Sequence, residues 1–417
     1  MNLRNCILSV CSLLILNTPA NAEDTPAGAI ADLSGKEASE WLGLKPYGVT
    51  LGGWATAGIN HNIDDPSDRN NGPVSMTDRN NEFHLYQLNL FIEKAITKSD
   101  KWDVGGRFDF MFGTDTRYTQ ATGDWDIDLI PPEDKRFYHI ALPQAYVEVF
   151  APIGNGLSTK FGHFYTIIGY ELVPSPPNFF SSHSYSFKSS PFTTTGALFN
   201  YAINDEWSVN LGAVTGADNF DRDFGAWSLM NGLTWTNAKT GTSLSFSVLQ
   251  GDVYERQASD LLYYSAIFQQ DFGKLHYVLQ NDRGTQQNAL VQRQNAEWYS
   301  IVQYLTYQAT DTLGLGVRGE WFRDDDGFRY SAGAANYYAI TTGLNWKPKS
   351  WLMIRPELGY DWSHAQTAAF DAGQRTDQIL LGIDAQIPNY REDSEISRLN
   401  QLERDTWLPV SKRLRGY

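Results

Sequence analysis

The chain has 417 residues and a formal net charge of −15, with 13 Trp, 22 Tyr and 22 Phe. Its acidic balance argues against nucleic acid as a partner, and no segment past the leader has the apolar length of a transmembrane helix. Mean hydropathy below zero together with many aromatics and frequent glycine suits either a transmembrane β-barrel, whose lumen-facing half is polar, or a soluble all-β protein.

Residues 1–22 read as a secretory signal peptide: a basic Arg4, an apolar core from Ile7 to Leu16, and the small-x-small site Ala20-Asn21-Ala22. The apolar run is too short for a retained anchor, and Val10 before Cys11 does not fit lipoprotein processing. Cys6 and Cys11 both lie in this leader, so the exported chain is expected to hold no disulfide and no Cys-based zinc site. Residues 23–45 place Ile30, Leu33, Trp41 and Leu42 at loosely helical spacing, which predicts a short periplasmic helix leading into the first strand.

Alternation with a period of two then runs from residue 46 to 390. About sixteen segments carry it, beginning with Tyr47–Ile59, Glu82–Ile96, Trp102–Phe112, Ile140–Phe150, Leu157–Tyr165, Thr193–Ile203 and Trp207–Gly216, and ending with Leu313–Arg323, Tyr337–Lys347, Trp351–Asp361 and Gln378–Ile387. The connections alternate between short (Pro152–Gly156, Asn204–Glu206, Gly273-Lys274) and long (Asn60–Asn81, Gly113–His139, Asp324–Asn336). An up-and-down antiparallel barrel with tight periplasmic turns and long extracellular loops predicts this rhythm, whereas a sandwich or propeller does not. Trp102, Trp207 and Trp351 each restart the chain after a short turn, at the level where amphipathic rings favour the headgroups. Closure is required because an unpaired sheet edge is not viable in hydrocarbon. The closing strand sets Ile379, Leu381, Ile383, Ala385 and Ile387 toward lipid and Gln378, Gly382, Asp384 and Gln386 inward, with Tyr390 as an interfacial aromatic.

One connection, 166–192, is unlike the others. Pro174, Pro176, Pro177 and Pro191 exclude it from a sheet ladder, yet it carries Phe179, Phe180, Tyr185, Phe187 and Phe192. A long loop so rich in rings must pack them, and the inner wall of the barrel is the surface on offer. Gly162, Gly169-Tyr170-Glu171, Asn178-Phe179, Ser181-Ser182, Tyr185, Phe187, Pro191 and Thr195-Gly196 together resemble the signature of the OmpL-like β-barrel porins of Gram-negative-type outer membranes. Thr194 stands where that pattern has His, and this chain continues past its closing strand. The resemblance implies an outer-membrane barrel with a diffusion channel.

The candidate pore-lining and constriction residues are Glu171, Phe179, Phe180, Tyr185, Phe187 and Lys188 of the loop, with Arg107, Asp109, Glu148, Lys160, Arg318, Glu320, Arg355, Glu357 and Asp361 on inward strand positions. Both signs occur, which argues against a strongly selective filter; acidic outer loops predict a slight lean toward cations. Seven histidines show no ligand spacing, Ser181, Ser182 and His183 adjoin in sequence without implying a nucleophile–base pair, and Asp64, Asp65, Asp68 and Asp324–Asp326 fit no EF-hand loop. No catalytic residue, cofactor or metal is expected. The implied partners are outer-membrane lipid and lipopolysaccharide, small hydrophilic solutes, the barrel-assembly machinery and, as an open question, further copies of the chain. Residues 391–417 are expected to form a periplasmic tail with a helical stripe of Ile396, Leu399 and Leu402. A structural or adhesive barrel and an outer-membrane hydrolase are the competing readings.

Overall fold

The computed structural model describes residues 28–127, 129, 137–221, 227–254, 259–330 and 332–390. The leader and the C-terminal tail lie outside the described residues. Sixteen strands, β1 (Val49–Asn62) through β16 (Asp377–Pro388), pair antiparallel in chain order. The sheet closes where Ile59 meets Ile383 and Ala57 meets Ala385 between β1 and β16. Alternation dictates which side chains see lipid: on β16, Leu381 and Ile383 are 43% and 46% exposed, while Asp384 and Gln386, of the opposite parity, are 2% and 0% exposed. The strands that matter below are β2 (Phe83–Lys94), β3 (Asp103–Gly113), β4 (His139–Ala151), β5 (Leu157–Tyr165), β6 (Thr193–Ala202), β11 (Leu275–Gln286), β12 (Ala296–Thr310), β13 (Leu313–Asp324), β14 (Ala335–Lys349) and β15 (Leu352–Ala365).

Two departures from simple alternation have local causes. Tyr86 belongs by parity with the lipid-facing Leu88, Leu90 and Ile92, but a β-bulge pairs Thr56 with Gln87 and Ala57 with Leu85. Tyr86 is the extra residue and is buried inside, where its hydroxyl accepts from Asn60 Nδ2 at 2.7 Å. Tyr390 is not an interfacial aromatic. It is buried, edge-on to Trp54 at 6.3 Å and tilted on Phe91 at 6.2 Å. The turn that follows β16 carries it inward: Asn389 donates its N–H to Gly53 and accepts from Ile30 N. Ile30 lies on the first of two short helices, α1 (Ala29–Ser34) and α2 (Ala38–Trp41), which sit at the short-turn end of the barrel.

The core of this barrel is inside it. Three apolar clusters fill the lumen, and each is made of wall residues meeting the β5–β6 connection. Ile167, Ile168 and Tyr185 join Trp298, Phe322 and Tyr337. Val173 and Phe187 join Trp54, Phe91 and Met111. Tyr170 and Phe180 join Val278, Val302 and Tyr304. The neck through which this segment enters the lumen is a pair of opposed glycines, Gly162 on β5 and Gly196 on β6. Their φ values are +133° and +153°, and a Cβ on either would lie 2.3 Å from a carbonyl oxygen of the next strand, so the signature glycines answer a steric demand.

Candidate functional site

Residues 166–192 form a loop folded into the barrel, including the single helical turn α3 (Tyr185–Ser189), whose N-cap Ser184 accepts from Phe187 N. The remaining loop backbone has no ladder to join, and a buried peptide group without a partner is costly. Charged side chains on the wall supply the partners. Glu357 of β15 accepts from Ser181 N and Ser182 N at 3.0 Å. Glu320 of β13 accepts from Tyr185 N and Ser186 N at 2.8 Å. Arg355 of β15 donates from Nη1 to the carbonyls of Asn178 and Phe180 at 2.7 and 3.1 Å, and is itself held by Asp384 of β16 through Nε at 2.9 Å. Arg318 of β13 reaches Glu171 at 2.7 Å and the carbonyl of Ser182 at 2.6 Å. From β2, Gln87 donates to the carbonyl of Val173 at 2.8 Å and accepts from Ser175 N at 3.0 Å.

These contacts correct several sequence-based site expectations. Arg318, Glu320, Arg355 and Glu357 do face inward, but they anchor the loop, and all but the part-exposed Glu357 are buried. Asp361 accepts from Gln378 Nε2 at 3.0 Å and is likewise buried. Asp109 is fully buried, with Arg107 Nε at 2.5 Å. Phe180 and Tyr185 are buried as well and Phe179 partly so: Phe179 lies against Gly314 and Gly316, where the wall has no side chain, and Phe180 lies across from Gly343. Glu171 lies in this loop, in a setting where burial pushes its carboxyl up and Arg318 and Ser184 N outweigh that, leaving it below the usual carboxylate range.

Open space remains on both sides of the loop. Toward the short turns, a cavity of about 150 Å³ is lined by Glu93, Lys98, Glu148, Ser158, Lys160 and Asn200. It continues, past the shared Glu93, Tyr146 and Lys160, into a narrow space of about 50 Å³ bordered by Arg107, Glu171, Phe187 and Phe192. Toward the long loops, a vestibule of about 500 Å³ is bordered by Asp78, Tyr118, Lys188, Arg329 and Tyr330. No residue lines both the vestibule and the spaces below it. Between them stand α3 and the rings of Phe187 and Phe192, 4.6 Å apart. The loop is thus anchored mainly to the β11–β16 side of the lumen, and the 50 Å³ space lies against β2–β5. Glu93 was legible by parity, since it alternates with the lipid-facing Ile92; Arg329 sits in a long loop, where alternation carries no signal.

The remaining candidates for chemistry are structural. His183 stacks on Phe187 at 4.2 Å, and the Ser182 hydroxyl is bound by Arg318, so the two do not form a nucleophile–base pair. Asp324 accepts from the N–H groups of Phe328, Arg329 and Tyr330, shaping its loop. Among the described residues no group of three or more His, Cys, Asp or Glu is placed to hold a metal ion.

A family model described as Putative beta-barrel porin-2, OmpL-like, matches residues 48–388. No curated protein matches the chain in sequence. Solved structures of similar fold include OprB of Pseudomonas putida (12% identity, 88% of this chain and 100% of that one, TM-score 0.57). An anion-selective porin from Comamonas acidovorans is also similar (10% identity, 82% and 99%, TM-score 0.56), as is the outer membrane channel DcaP of Acinetobacter baumannii (14% identity, 82% and 96%, TM-score 0.54). At these identities the likeness is one of fold.

Proposed function

The chain belongs to the OmpL-like beta-barrel porin family, and from that premise we propose that it is an outer-membrane channel for passive diffusion of small hydrophilic solutes, narrowed by the loop 166–192. The observation that carries this reading is the pair of polar spaces inside a closed barrel, one toward each rim, separated at the level of Phe187 and Phe192. The short turns face the periplasm and the vestibule faces outside. Solutes pass along the β2–β5 wall, beside Arg107, Glu148 and Lys160, because the loop is anchored to the β11–β16 side by Arg318, Glu320, Arg355 and Glu357. Family and fold both point away from an enzyme. Lipopolysaccharide and the assembly machinery are the expected partners of insertion, and the exported chain begins at residue 23.

Planar-bilayer recording from the purified protein tests this. Discrete conductance steps are expected, small for a barrel of this strand number because of the inserted loop. A correctly folded barrel that conducts nothing under any polarity would favour the structural or adhesive reading instead.

A further inference from the structure

The vestibule carries an arrangement that the channel reading does not use. Lys188 comes to it from α3 and Arg329 from the β13–β14 connection, so two elements far apart in sequence deliver cations to one cavity wall. Each is held in place by neutral groups. Lys188 Nζ donates to the carbonyl of Pro73 at 2.8 Å and lies 5.3 Å from the Tyr330 ring centroid. Arg329 donates from Nη2 to the carbonyl of Lys188 at 3.3 Å, and its guanidinium lies 4.9 Å over Trp298. Among the described residues neither makes an ion pair. The nearby acidic groups hydrogen-bond other partners: Asp78, whose charge also bears on Lys188, takes two hydrogen bonds from Arg117 and one from the Tyr118 hydroxyl, Asp68 caps Asn70 N, and Asp218, near enough to feel Arg329, accepts from Phe192 N and Thr193 N. Asp324, which shapes the Arg329 loop, is saturated by three backbone N–H groups.

We propose that Lys188 and Arg329 form an oxyanion-binding site in the long-loop vestibule, which takes the carboxylate or phosphate group of a small solute before it reaches the constriction. Two like charges on one wall repel, and an oxyanion between them relieves that repulsion while offering acceptors to a planar guanidinium fork and an ammonium. Both side chains are already held, so little ordering entropy opposes binding. The site deepens the channel reading and rests on it for its use in transport, but binding can be measured without conductance.

The test is calorimetric titration of the full-length exported protein in detergent micelles with succinate, inorganic phosphate and the uncharged 1,4-butanediol. Saturable binding of succinate or phosphate, with none of the diol, is expected, and the tighter of the two names the oxyanion. Lys188→Gln and Arg329→Gln should each weaken it about tenfold, while Lys188→Arg retains it. Binding that is unchanged in the double Gln variant overturns the proposal, as does absence of binding by both anions. Heat-modifiable mobility in gels checks that every variant is a folded barrel. A barrel that binds anions and conducts nothing keeps this site and refutes the channel, and one that conducts but binds neither anion does the reverse.

Discussion

Arg318 on the barrel wall and Glu171 in the loop form a 2.7 Å ion pair in which the two side chains are only 3% and 6% exposed. Buried this deeply, the pair is a device of specificity more than of net stability, since desolvation offsets most of the attraction. What it fixes is the position of the loop. Removing one partner leaves the other charge stranded, at a cost of about 3–5 kcal/mol. Arg318→Met should therefore loosen the loop without unfolding the barrel. The expected readout is faster proteolysis within residues 171–190 and noisier, larger single-channel currents, with heat-modifiable mobility retained.

Deleting Pro176–Ser186 removes most of the loop's backbone contacts with Arg355, Glu357 and Glu320. Conductance should rise several-fold and membrane insertion should persist, because the ladder of the barrel does not depend on the loop. Equal conductance in deletion and parent would show that the constriction lies elsewhere.

A matched pair on β6 tests the face assignment. Phe199 is 41% exposed toward lipid, and Asn200 beside it lines the lower cavity. Phe199→Arg should weaken folding into bilayers, by up to about 2–4 kcal/mol, and Asn200→Arg much less, as measured by urea titration in liposomes. The analogous pair on β16 does not serve. Ile383→Arg meets lipid as expected, but Asp384→Arg would set a second guanidinium against Arg355, whose partner Asp384 is at 2.9 Å, so both should be damaging.

Ion preference should depend on pH through Lys188. Burial holds its ammonium down to about 8, so the charge is present at pH 7 and lost as pH rises through that value. If Lys188 and Arg329 bind oxyanions as proposed, their charge at the vestibule should outweigh the slight cation lean expected from the acidic outer loops. Reversal potentials under a KCl gradient should show anion preference shrinking between pH 7 and 9. Lys188→Arg should remove the step, since a guanidinium stays charged throughout.

The sequence by itself determined the barrel. Strand parity is a local property enforced by two solvents, lipid outside and water or loop inside, so Leu381, Ile383 and Asp384 announce their faces without knowledge of any partner. The prolines and rings of 166–192 likewise announced a loop that must pack on the inner wall. Parity could not say what an inward charge meets. Arg318, Glu320, Arg355 and Glu357 read as pore lining, and only the tertiary structure decided that they serve as anchors, because the groups they satisfy are backbone amides and carbonyls more than a hundred residues away in sequence. The same holds for Tyr86, turned inward by a bulge that exists only in the pairing with β1, and for Lys188 and Arg329, whose shared cavity is created when the loop folds across the lumen. Alternation encodes a direction relative to the sheet. Proximity across a closed barrel is set by closure and by the path of the loop, which no local pattern records.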